Sequence, residues 1–391
     1  MIWESSRVGN IQSSATIDIA ERIRELKKSG SDVIDLISRS PEFDTPVEIK
    51  QAASDALNID YEFIKYTPSA GLLELREAIV GKLDADNQMS FSPDDVIVTV
   101  GVKEGLTIAL QACLEAGDEV LLPTPNWVTY EPLVRLSGAV PVHVAMPTWT
   151  AESLTKSLRE KITPKTKAII FSNPHNPTGR VYQRTELEQI SEISQEHNLL
   201  VLVDEVLEYL NYEKDPHISI GSIDGMAERT VTFNGFSKSY SMAGWRVGYL
   251  AGPRPLVNNM LKIHQHAVTC ANAFSQKGAV MAILGPQDGR LKIKKDLLTR
   301  RNILAKELDQ IPGVQCDLPE AGLFCFPNVS GLGVSDKEFG KLCLEQAQVA
   351  VLPGSLFGTG GEGHARIAFG KRSVDSLREA TKRITIAVTR M

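Results

Sequence analysis

From about residue 95 onward, short runs of apolar residues alternate with longer stretches in which apolar positions recur every three or four residues. The short runs are VIVTV (96–100), EVLLP (119–123), VPVHVAM (140–146), AIIFSN (168–173), LLVLVDE (199–205), TVTFNG (230–235) and RVGYLAG (246–252). The longer stretches include 103–117 and 185–198, whose period predicts amphipathic helices. Strands alternating with helices predict a mostly parallel sheet covered on both faces. Strands that are nearly all apolar fit burial on both sides.

The two ends of the chain follow another pattern. Residues 14–29 predict one amphipathic helix and 289–311 a long one, after which VQCDLP (314–319) and GLFCFPN (322–328) read as strands. RIAFG (366–370) and a last helix over 374–390 complete the chain. The expected fold class is α/β: a large domain with a mostly parallel seven-stranded sheet between helices, plus a smaller α+β domain drawn from both termini. The expected division is an N-terminal arm and part of the small domain in 1–45, the large domain in 46–288 and the small C-terminal domain in 289–391.

Composition narrows the function. A net charge of −6 supplies no basic field for nucleic acid or an anionic membrane surface. The most basic segment, LKIKKDLLTRR (291–301), has helical periodicity and reads as a solvated helix face. Five scattered cysteines with no CxxC pair form no disulfide framework or zinc site, and no metal is expected. MIWESSRVGN lacks the basic start and apolar core of an export leader, and no apolar run reaches membrane-spanning length, so a cytoplasmic protein is expected.

Several residues with chemical potential fall at the carboxyl ends of predicted strands, where open parallel sheets bind ligands. In VTVGVKEGL (98–106), Gly101, Val102 and Lys103 open a helix N-terminus, an anion site or else a plain tight turn. In SNPHNPTG (172–179), two Asn-Pro pairs fix an irregular turn that either aims Asn176 at a ligand or only stiffens the loop. Asp204 ends an apolar strand, where a carboxylate meets a cation, donors or solvent. NGFSKSYSMAGWR (234–246) holds one lysine, Lys238, among serines, with Arg246 after it. A lysine in a pocket loses its proton readily and condenses with carbonyls. Arg366, in HARIAFG (364–370), offers a guanidinium fork for a carboxylate. Together the parts suit pyridoxal phosphate, which needs a lysine for its aldehyde, an anion for its ring nitrogen and donors for its phosphate. Trp127, in PTPNWVTY (123–130), either stacks on the ring or belongs to the core. No GxGxxG follows the first strand, so a dinucleotide site is rejected.

SATIDIAERIREL, KYTPSAGLLELREAI, SNPHNPTG, VDEV, NGFSKSYSMAGWRVGYL and PGSLFG…GEGHARIA occur in an order that resembles the fold-type I pyridoxal-phosphate enzymes, class I/II aminotransferase family. The resemblance covers nearly the whole chain. It implies that Lys238 forms the Schiff base with the cofactor and moves the proton between Cα and C4′. It also implies that Asp204 pairs with the pyridine nitrogen, Asn176 with the ring oxygen, and Trp127 with the ring face. Gly101, Val102, Lys103, Ser237 and Arg246 would surround the phosphate. Tyr66 resembles the tyrosine that reaches the phosphate of a neighbouring subunit, which implies a homodimer. Arg366 matches the arginine that holds the α-carboxylate.

Two departures stand out. Leu207, in VDEVLEYL, occupies the position of a tyrosine that donates to the ring oxygen, with Tyr209 nearby. Arg39, in SRSPEFDTP (38–46), stands where the family has a glycine, and either binds a substrate group or faces solvent. The expected function is an aminotransferase acting on an amino acid and a 2-oxo acid. The departures keep open elimination, replacement, cyclisation or oxidation on the same scaffold, and a non-catalytic binding module stands behind both. By the same analogy, HQHAVTCANAF (264–274) would line the part of the pocket at the dimer interface, although His264 and His266 read better as structural.

Overall fold

The computed structural model describes residues 3, 5–9, 11, 15–37, 40–59, 65–146, 150–371 and 373–390. Its helices are α1 (Ser6–Gly9), α2 (Ala15–Lys28), α3 (Val47–Ile59), α4 (Leu73–Asn87), α5 (Val102–Cys113), α6 (Tyr130–Leu136), α7 (Ala151–Lys161) and α8 (Arg184–Glu196). They continue with α9 (Arg254–Ala267), α10 (Ala273–Leu284), α11 (Asp288–Asp309), α12 (Asp336–Glu345) and α13 (Val374–Thr389). The strands are β1 (Ile34–Asp35), β2 (Val96–Thr99), β3 (Glu119–Thr124), β4 (Val140–Ala145), β5 (Thr166–Ser172), β6 (Leu200–Asp204), β7 (Thr230–Gly235) and β8 (Gly248–Ala251). Four short strands follow: β9 (Phe324–Cys325), β10 (Val349–Ala350), β11 (Leu352–Pro353) and β12 (Ala365–Ala368).

Seven strands make the main sheet in the order β2-β8-β7-β6-β5-β3-β4. Neighbours from β7 to β4 run parallel, and β8 runs antiparallel to both β7 and β2. The mostly parallel seven-stranded sheet read from the sequence is therefore present, with one reversed strand inside it. Because β8 is reversed, β2 runs the same way as β7. The carboxyl ends of β2, β3, β5, β6 and β7 thus share one edge with the amino end of β8. Register makes this concrete: Ser172 pairs with Asp204, Asp204 with Phe233, and Gly248 with both Gly235 and Thr99.

Successive residues in the central strands point to opposite faces, and both faces are buried. Ala168, Ile170, Leu202 and Phe233 enter one core with Leu106 and Ala109 of α5, while Ile169, Phe171, Val201 and Val203 enter another with Leu187 and Ile190 of α8. This two-sided burial accounts for the near-absence of polar positions along these strands. A further core gathers Ile34 and Leu36 with Ile293, Leu297, Phe339, Ile367 and Ile384. The parallel pairing of β1 with β10 joins the two ends of the chain there.

Two expectations change. VQCDLP is not a strand: Gln315 makes a single bridge to Asn328, and the next amide, Cys316, donates to Asp309 Oδ1 at 3.0 Å. An apolar–polar alternation forms a ladder only where a partner strand runs beside it. The basic run in α11 is not wholly solvated, since Arg301 is buried, lies 4.8 Å from the ring of Tyr212 and donates to the Pro319 carbonyl at 3.0 Å.

Candidate active site

Loops leaving that one sheet edge enclose a cavity of about 320 Å³, lined by Val102, Lys103, Trp127, Asn176, Asp204, Ser237, Lys238 and Arg246 among others. These are eight of the positions singled out in the sequence, and the strand ends bring them together. Arg366 stands immediately behind Asn176. Tyr66 is 86% exposed and lies outside the cavity lining. Arg39 lies outside the described residues, but Ser40 beside it contributes to the wall.

Asp204 is buried, and burial pushes its carboxyl up to about 6 from an ordinary 3.8, a rise opposed by the Val206 amide, the Lys238 charge and Tyr130. The Val206 N–H donates to Oδ1 at 3.1 Å and the Tyr130 hydroxyl to Oδ2 at 3.5 Å. Such a carboxylate gains from a cation in the cavity. Lys238 follows β7 in the next loop, half-buried on the same wall.

At the other end, Gly101 has φ +80°, and a Cβ there would lie 2.5 Å from Arg246 Nη2. Glycine is thus required both for the backbone angle and for the approach of the guanidinium. Arg246 is itself left-handed, with φ 54°, and donates to the Ala243 and Val100 carbonyls at 2.8 and 3.1 Å. The N-terminus of α5 therefore faces a fixed cation, as an anion site requires. Lys103 Nζ lies 5.3 Å from the Trp127 ring.

Arg366 is a buried fork. Its guanidinium lies 4.1 Å from the Phe324 ring and 4.7 Å from the Phe357 ring, and Nη1 donates to Asn176 Oδ1 at 3.0 Å. The Asn176 amide N–H donates to Ser172 Oγ at 3.1 Å, which anchors the turn to the end of β5.

Among the lining residues missed in the sequence are Tyr130, Phe324 and Ser40. Tyr130 opens α6 three places after Trp127 and meets that ring edge-on at 5.4 Å; its place in a tyrosine-containing turn after β3 was the available signal. Phe324 and Ser40 carry no comparable signal, being ordinary residue types in segments far from the sheet. Leu207 lines the cavity but also enters the core beneath it with Leu323 and Phe324. Tyr209 does not replace the missing phenol, because its hydroxyl donates to Asp86 and its ring stacks on Arg290. None of the residues 264–274 lines the cavity.

Behind Asp204, Glu205, Glu208 and His217 gather their ligand atoms within 4.8 Å of one another. Lys82 and Asn87 already bind Glu208, and Ser219 and His217 face Glu205, so the cluster is a buried ion-pair network that holds the chain after β6.

The family described as aminotransferase class I and II matches residues 31–384. An aspartate aminotransferase of Geobacillus stearothermophilus is 39% identical over 388 residues, covering 97% of each chain. Among solved structures, the aspartate aminotransferase from Rhizobium meliloti superimposes with a TM-score of 0.92 at 34% identity over 100% of both chains. The aromatic aminotransferase from Pyrococcus horikoshii OT3 superimposes with a TM-score of 0.87 at 37% identity, over 94% of this chain and 99% of its own.

Proposed function

The chain belongs to the class I and II aminotransferases, and from that premise we propose that it exchanges an amino group between an amino acid and a 2-oxo acid with pyridoxal 5'-phosphate held at Lys238. The observation that carries this reading is the placement of Lys238, buried Asp204 and the Gly101–Arg246 cradle around one cavity. The residues fit the cofactor: the cradle leaves no room for a Cβ beside Arg246, and the burial of Asp204 favours a cationic ring nitrogen as its neighbour. When bound, the cofactor supplies an electron sink for carbanion chemistry at the substrate's Cα.

The protein groups do the rest. The N–H groups at the start of α5, with Ser237 and Arg246, bind the phosphate. Asp204 holds a proton at the ring nitrogen, and Tyr130 and the Val206 amide hold Asp204 in place. Asn176 donates from its amide NH₂, since its oxygen already accepts from Arg366. Trp127 covers one side of the cavity and excludes water. Arg366 binds the substrate's α-carboxylate, its fork kept rigid between two phenylalanine rings. The Lys238 amine would serve as the base and acid that moves the substrate's Cα proton. The wall for the substrate side chain includes Val206, Leu207 and Phe324.

The proposal extends to assembly and setting. The exposed Tyr66 phenol suits contact with a second copy, in a homodimer with shared sites. Residues 46–288 would act as the cofactor-binding unit, with 1–45 and 289–391 as the smaller one, a division supported by the core that joins β1 and β10 to α11 and α13. No described helix is long and apolar enough to cross a membrane, and all five thiols are free, which suits our placement of the protein in the cytoplasm.

Titration with a panel of amino acids, followed by absorbance, tests the reaction. The bound cofactor should convert to its amine form with a subset of amino acids and return to the aldehyde-derived form on addition of a 2-oxo acid. Release of a side-chain fragment with no amine form would contradict transamination.

A further inference from the structure

Glu104 and His264 meet from 160 positions apart: His264 Nδ1 lies 3.0 Å from Glu104 Oε1. The imidazole is 0% exposed, on α9, and the carboxylate belongs to the first turn of α5. The second oxygen, Oε2, accepts the Val100 N–H at 3.2 Å, and the Val100 carbonyl accepts from Arg246 Nη2 at 3.1 Å. Val100 is therefore gripped at both its polar groups, immediately before Gly101. Neither Glu104 nor His264 lines the cavity.

This arrangement carries a conflict. A carboxylate in the first turn of a helix is drawn to the positive end of the helix dipole. The same end is assigned above to a phosphate, and two anions at one helix terminus repel each other. The geometry resolves the conflict by direction: Glu104 spends one oxygen on the Val100 N–H and turns the other toward α9. The group that receives it there is His264.

Resting on that phosphate reading, we propose that His264 is a positioning residue for the phosphate cradle. By holding Glu104 against α9 and on the Val100 N–H, it keeps that carboxylate turned away from the open N–H groups at the N-terminus of α5 and fixes the peptide leading into Gly101. Without its donor, Glu104 turns toward the remaining positive potential and competes with the phosphate.

The test compares wild-type holoenzyme with His264→Phe, His264→Gln, Glu104→Gln and the double variant Glu104→Gln/His264→Phe. Two affinities are measured: pyridoxal phosphate by equilibrium dialysis, and inorganic phosphate on the cofactor-depleted protein by ³¹P NMR. His264→Phe should bind both about tenfold more weakly, the scale of one charge at a helix terminus. His264→Gln keeps a donor and Glu104→Gln keeps the cap on Val100, so each should match wild type. The double variant should recover to within about twofold, because no charge remains to be restrained. An unchanged His264→Phe, a weakened His264→Gln, or a double variant as weak as His264→Phe would overturn the proposal and leave His264 a packing residue. If the wild type bound neither pyridoxal phosphate nor phosphate, the cradle itself would be wrong and this role would fall with it, an outcome distinct from any difference among the variants.

Discussion

Arg366 donates through Nη1 to Asn176 Oδ1 at 3.0 Å, joining β12 to the turn after β5 across 190 positions of sequence. The contact orients both groups: the arginine fork cannot rotate between Phe324 and Phe357, and the asparagine is left to donate from its NH₂. Replacement by lysine keeps the charge but loses the planar fork. Arg366→Lys should raise KM for the amino acid roughly 10- to 100-fold, in line with the ~1.5–3 kcal/mol of a charged hydrogen bond, with cofactor content unchanged. Steady-state kinetics alongside absorbance of the bound cofactor checks both halves.

Asp204 predicts a pH-dependent stability in the cofactor-free protein. Burial lifts its carboxyl from 3.8 to about 6, so between these values the folded chain holds a proton that the unfolded chain has released. Its contribution to stability is present in full below pH 3.8 and is lost as pH rises through about 6. Cofactor-free wild type should therefore lose stability relative to Asp204→Asn across this window, by about 3 kcal/mol at most, with no further divergence above it. Thermal unfolding of the two proteins from pH 4 to pH 8 reads this directly, and parallel profiles would refute it.

Leu207 predicts a spectral change. It lines the cavity wall and packs beneath it, so a tyrosine there gains a phenol within the site at an overpacking cost of about 1–3 kcal/mol. A donor to the ring oxygen stabilises the negative charge on that oxygen and favours release of the shared proton. Leu207→Tyr should thus move the pH midpoint of the bound cofactor's colour change downward. An unmoved titration would place residue 207 away from the ring oxygen.

The sheet and the side chains gathered around its cavity were legible because each broke a local pattern. A carboxylate ends the apolar run of β6, a single lysine stands in a charge-poor loop after β7, and Gly101 interrupts strand and helix at a positive φ. What escaped depends on contacts between distant segments. Glu104 and His264 each look like ordinary helix residues until α5 and α9 pack together, and Phe324 gains its role only when β9 and β12 bring it under Arg366. VQCDLP alternates like a strand, yet among the described residues it finds only the single Gln315–Asn328 bridge and no ladder. Leu207 was visible as a departure, but its double membership of cavity wall and core belongs to the tertiary structure.

The most direct measurement is borohydride reduction of the purified yellow protein, followed by peptide mass mapping. Reduction should fix one pyridoxyl group on Lys238 and on no other lysine, and Lys238→Ala should be colourless and unlabelled while still binding phosphate. Labelling of a different lysine, or a Lys238→Ala protein that keeps its colour, would contradict the assignment of this cavity as the active site.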